Sequence, residues 1–173
     1  MYIMGVKYMV IIESLILCII FTIVVIPPLY KNPLNCIMSY PPTIRKRVES
    51  LPQYNGIIKK YQKKHIAMKL IFLVICVGVL TVLAWSSGAR TFVQGFAHTF
   101  TLFFIVNMYD LFILDLWLFC HNEKVIIKGT EDMINEYKSP MHHIRGAFIG
   151  LAIGCFVGFA TGGVIEALTV IIL

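Results

Sequence analysis

Asn107, Asp110 and Asp115 stand deep inside a largely apolar run, and they are where this sequence could do chemistry. Phe96 to Cys120 carries Asn107, Asp110 and Asp115 among aliphatic and aromatic neighbours. At ~1.5 Å per residue the run is long enough to cross a ~30 Å hydrocarbon core. A carboxylate near a bilayer centre costs roughly 2.5–3.5 kcal/mol on insertion scales, so it needs a protein partner, an ion or water. Its chemistry would be proton carriage, cation binding or acid catalysis. Asn107 and Asp110 share one face of a regular helix, whereas Asp115 falls roughly 140° from Asp110 at 3.6 residues per turn. The two acids could then meet one partner only if the helix were distorted. Asn107 alone reads as a hydrogen-bonding tie between helices.

Just beyond this run the titratable residues crowd together: His121, Glu123, Glu131, Asp132, Glu136, His142 and His143. The site set expected from the sequence has Asp110, Asp115, Glu131 and Glu136 as acids and bases, with Asn107, Asp132 and Arg145 binding substrate or ion. His121, His142 and His143 are the candidate metal ligands. Oxygen and imidazole donors of this kind suit a divalent iron, manganese or zinc ion. No His-Glu-x-x-His or repeated Glu-x-x-His pattern accompanies them, so the cofactor stays open. The competing reading is a solvated loop in which Lys124, Lys128 or Arg145 neutralise the acids. Glu13, His98 and Glu166 belong to the opposite end, where they could close the bundle among themselves or with Lys7 and Arg90.

The elements that must position these groups follow from hydropathy. Apolar residues make up 58% of the 173 and charged residues 14%, well outside the usual soluble composition of about 45–50% and 25%. The expected fold is all-α: one polytopic membrane bundle with spans near 8–29, 66–85, 96–120 and 144–173. The first span has no basic residues clustered before it and no small-residue cleavage site, so it reads as a retained helix. Basic residues crowd the 30–65 loop (Lys31, Arg45, Lys46, Arg47, Lys59, Lys60, Lys63, Lys64) and recur in the 121–143 loop. That asymmetry predicts both long loops in the cytoplasm and both termini outside. The location expected is a bacterial-type cytoplasmic membrane.

Thr43 to Leu51 predicts a two-turn helix with Ile44, Val48 and Leu51 on one side, ended by Pro52. With its basic residues it would lie on anionic lipids. Ile57 to Lys64 should run directly into the second span. Val125 to Gly129 reads as a short extended piece, and Thr130 as the cap of a brief helix. The five cysteines form no Cys-x-x-Cys pair and read as reduced packing residues. Aromatic spacing gives no base-stacking platform, which argues against nucleic acid.

Gly146, Gly150, Gly154, Gly158 and Gly162 recur every four residues through the last span. Such a thin face admits a second helix backbone, either within the chain or from another copy in a homo-oligomer. Three functions fit these observations. One is a membrane enzyme or binding protein whose Asp/Glu/His pocket takes an amphiphilic, lipid-like substrate at the cytoplasmic leaflet. The second is a proton- or cation-coupled transport protein using Asp110 and Asp115. The third is a non-catalytic assembly subunit whose acids pair with another protein.

Overall fold

A computed structural model describes residues 2–172, with the side chains of residues 2–7, 60, 63 and 64 excepted. Lys60, Lys63 and Lys64 of the topology argument, and Lys7 at the opposite end, therefore have side chains outside the described residues. The described chain is helical, with four helices long and apolar enough to cross a membrane: Tyr8–Lys31, His65–Ser86, Phe92–Phe119 and Met141–Ile172.

Helix α1 spans Tyr2–Lys31 and continues through Pro27 and Pro28, past the stop expected there. Two prolines forfeit two intrahelical bonds, but the last turn is held from outside. Leu29 is buried, and Asn35 Nδ2 donates to the Pro28 carbonyl at 3.1 Å. Helix α2, Pro42–Ser50, begins on a proline, which suits a first turn whose N–H has no partner. Helix α3, Ile57–Ser86, runs without a break into the second span. Helix α4, Phe92–Tyr109, starts earlier than hydropathy suggested because the Thr91 hydroxyl accepts the Gln94 N–H at 3.3 Å and caps it. A π-helical segment, Asp110–Phe119, continues the same span. The short α5, Ile134–Tyr137, precedes α6, Met141–Ile172.

In the bundle α4 is central, packed on α6, α1 and α3, while α6 also touches α3. The polar span thus has helices on several sides, while α1 and α3 turn apolar faces outward. The glycine series sets the α4–α6 contact. A Cβ at Gly150 would strike the Asn107 amide, one at Gly154 would lie 2.7 Å from the Phe103 ring, and one at Gly162 would lie 2.7 Å from the Phe92 carbonyl. Gly158 faces Phe96, whereas a Cβ at Gly146 meets nothing within 4 Å. The thin face is therefore filled from within the chain along most of its length. This antiparallel register, Gly150 to Asn107 and Gly154 to Phe103, carries onward to set His143 beside Asp115.

The two long loops fold on each other. Ile37, Tyr40, Ile44 and Val48 from the first meet Val125, Ile127 and Tyr137 from the second in one buried cluster over Phe119 and Leu29. The apolar side of α2 is thus consumed inside the protein, because the second loop supplies a better-matched apolar partner. Thr130 stands at the start of a short 3-10 helix, Glu131–Met133, as expected, but its side chain makes no capping bond: its hydroxyl donates to the Ile127 carbonyl at 2.7 Å and lies 2.7 Å from the Tyr137 hydroxyl. Gly129, at φ 91°, makes the reversal that allows this. All five cysteines are free thiols.

Candidate functional site

The π segment decides where the third-span acids go. In an α-helix residues five apart point well away from each other; i→i+5 bonding widens the turn and stacks them on one side. The Cys120 N–H donates to the Asp115 carbonyl, five residues back, at 3.0 Å. The span is wound this way from Asp110 to Phe119, so the separation that a regular helix imposes on Asp110 and Asp115 does not apply. The distortion that a common site would require is present.

At its centre, Asp115 Oδ2 lies 3.0 Å from His143 Nδ1, with side chains 28% and 3% exposed. The imidazole also stands against Phe119 at 5.0 Å between centroids, while its Nε2 is buried and makes no hydrogen bond among the described residues. A buried imidazole against a carboxylate is a hydrogen-bonded proton store, since either partner can hold the shared proton.

Toward the short-loop end a second histidine stands against a carboxylate. His98 Nε2 and Glu13 Oε2 are 2.9 Å apart with side chains 6% and 10% exposed, close enough for an ion pair but without hydrogen-bond geometry among the described residues, and Ser87 Oγ donates to Glu13 Oε1 at 2.9 Å. An open cavity of about 320 Å³, bordered by Ser87, Gln94, His98 and Thr101, lies beside it. His98 is seventeen positions before Asp115 on one span, about 25 Å at ~1.5 Å per residue. Between the pairs, Asn107 Nδ2 donates to the Ala147 carbonyl at 3.0 Å, and the Thr22 and Tyr109 hydroxyls lie 2.8 Å apart. The sequence offered His98 as one partner for Glu13. Glu166 is exposed instead, and Arg90 donates to the Trp85 and Ala89 carbonyls over the Trp85 ring.

The loop acids do not join this site. Glu131 Oε2 accepts the Gly129 N–H at 2.8 Å, and that bond holds its carboxyl below the usual range. Glu136 Oε2 accepts the Thr43 hydroxyl at 2.7 Å, and Asp132 faces Arg47 at 3.8 Å. Arg145 is exposed. The expected pocket of Asp110, Asp115, Glu131, Asp132 and Glu136 is therefore split, because Glu131 is bound within its own loop and Asp132 and Glu136 face residues of the other loop.

The histidines part company as well. His121 Nδ1 donates to the Leu116 and Trp117 carbonyls of its own span at 3.0 and 3.1 Å. His142 Nε2 donates to the Ser39 carbonyl at 3.1 Å, leaving only His143 on the acids. Among the described residues no three His, Cys, Asp or Glu side chains are grouped to hold a metal ion. Comparison with protein-family models, with curated proteins and with solved structures gave no match.

Proposed function

We propose that this chain is a multi-pass protein of a cytoplasmic membrane that carries protons across or into the bilayer, with both long loops on the cytoplasmic side. The observation that carries the proposal is the pair of histidine–carboxylate contacts, Glu13–His98 at 2.9 Å and Asp115–His143 at 3.0 Å, in the spans toward opposite ends of the bundle. With one proton shared between imidazole and carboxylate each pair is net neutral, the condition for ionisable residues at that depth, and giving up that proton leaves one carboxylate charge until another proton replaces it. Asp110 opens the π segment that carries Asp115. The bundle's central helix bears both sites.

This reading is favoured over lipid processing because the loop acids that would have made a head-group-level pocket are bound elsewhere. The basic residues of the 30–65 loop support the orientation. Purified protein in liposomes holding a pH-sensitive dye, driven by a potassium diffusion potential, tests it. Flux should exceed that of empty vesicles and fall in Asp115→Asn and in Glu13→Gln. Flux equal to empty vesicles would overturn the proposal.

A further inference from the structure

The cavity of about 320 Å³ beside His98 takes its walls from three parts of the chain. Val10 of α1 and Ala97 and Thr101 of α4 belong to apolar spans, while Ser87 and Ala89 come from the turn between α3 and α4. Gln94, Ala97 and Thr101 follow at helical spacing and are exposed, so the cavity opens on the flank of α4. His98 closes it from inside, with a side chain only 6% exposed. The Nδ1 of that ring is buried and makes no hydrogen bond among the described residues. A small, mostly apolar hollow with a few polar groups has the build of a ligand pocket, a class that starts near about 300 Å³.

Most hydrogens on its polar groups are already placed. Ser87 Oγ donates to Glu13 Oε1 at 2.9 Å, and Thr101 Oγ1 to the Ala97 carbonyl at 2.7 Å. Gln94 Oε1 accepts the Arg90 N–H at 2.8 Å, which leaves the amide N–H groups to offer. His98 Nε2 faces Glu13 Oε2 at 2.9 Å. With one proton shared there, Nδ1 carries hydrogen whichever partner holds it. An imidazolium has both ring hydrogens, and a neutral ring facing a protonated carboxyl keeps its hydrogen on Nδ1. The cavity thus presents donors, His98 Nδ1 and Gln94 Nε2, beside apolar walls, and a buried N–H needs an acceptor. Among the described residues no lysine or arginine borders it. The Arg90 guanidinium is bonded to the Trp85 and Ala89 carbonyls, so an anion would meet no uncompensated cation.

We propose that this cavity binds a neutral, lipid-soluble molecule through its carbonyl oxygens, which accept from His98 Nδ1 and Gln94 Nε2 while its apolar part lies against Val10, Ala89 and Ala97. A quinone ring and an acyl ester offer the same acceptor chemistry. The inference takes from the proposed function only the neutral Glu13–His98 pair. Its test reads binding and not flux, so the two can fail separately.

Native mass spectrometry of the delipidated protein in neutral detergent tests it, with decyl-benzoquinone, monodecanoylglycerol or decylbenzene added. One or both carbonyl probes should be retained in preference to decylbenzene, which has the ring and tail without an acceptor. Gln94→Leu should weaken that retention about fivefold, the usual loss for one hydrogen bond. Ala97→Phe should abolish it by filling the cavity. Both positions are exposed, so the variants should melt as the parent does and report on binding alone. Preference for the quinone would support the site and assign it to a flat ring; preference for the glyceride would support it and assign it to an ester lipid. Decylbenzene held as well as the carbonyl probes, no probe retained, or retention unchanged in both variants would overturn it.

Discussion

Asn107 and Gly150 occupy one another's space: the amide of Asn107 donates to the Ala147 carbonyl at 3.0 Å and fills the position a Cβ on Gly150 would need. An asparagine in a hydrophobic span is thereby satisfied by a backbone acceptor that only a glycine face lets it reach. The pair ties α4 to α6 midway between the two histidine–carboxylate contacts.

Gly150→Ala should therefore lower thermal stability in detergent by about 1–3 kcal/mol, the usual range for overpacking. Asn107→Ala in the same molecule should recover part of that loss, since it vacates the contested volume. If the double variant were as unstable as the sum of the singles, the collision would not be the cause.

The glycines of the series should not respond alike. Gly162 lies under the Phe92 carbonyl, a backbone atom that cannot rotate away, so Gly162→Ala should be the most damaging. A Cβ at Gly146 meets nothing, and Gly146→Ala should be neutral or stabilising by about 0.5–1 kcal/mol through helix propensity. Thermal melts of the variants read the gradient directly; a uniform response would contradict the register described.

How far the sequence foretold this molecule differs by element. The four spans and the glycine face were legible because hydropathy and a period of four are local properties of the chain. The π winding of Asp110–Phe119, which turns Asp110 and Asp115 toward one side, was not, since helical geometry at 3.6 residues per turn sets them apart and no residue in the segment marks it. The loop cluster was hidden for another reason. Ile44 and Val48 looked like a lipid-facing stripe, and their true partners, Val125, Ile127 and Tyr137, lie far along the chain. Glu131 and Glu136 were assigned to chemistry on composition, but a neighbouring N–H and a threonine hydroxyl claim them.

Asp115 and His143 should be strongly coupled. In a double-mutant cycle, Asp115→Asn and His143→Gln should each reduce stability, and the combination should fall short of their sum by about 0.5–3 kcal/mol. Dye-reported proton flux should drop to a similar level in either single variant and in the double. Additive stability losses, with flux lost in only one variant, would show that the two side chains act separately.

Tyr40 makes the loop layer sensitive to alkali. Its ring is fully buried, edge-on to Phe119 at 4.9 Å and Tyr137 at 5.9 Å, and its hydroxyl donates to the Val125 carbonyl at 2.8 Å. Burial first, then the neighbouring Tyr137 and Cys36, push that hydroxyl far above its ordinary value. In the unfolded chain the same phenol ionises near about pH 10. Because the folded value is the raised one, the stabilisation is complete below about pH 10 and is lost as pH climbs beyond it, by about 1.4 kcal/mol per pH unit for this one proton. Tyr40→Phe keeps the ring but leaves the Val125 carbonyl unpaired, so it should cost about 1–3 kcal/mol at neutral pH. It should also flatten the alkaline decline, because one fewer phenol ionises on unfolding. Denaturation followed from neutral to about pH 11 separates the two effects; an alkaline slope identical in both proteins would assign the sensitivity to another group, with Tyr137, raised chiefly by burial, the next to replace.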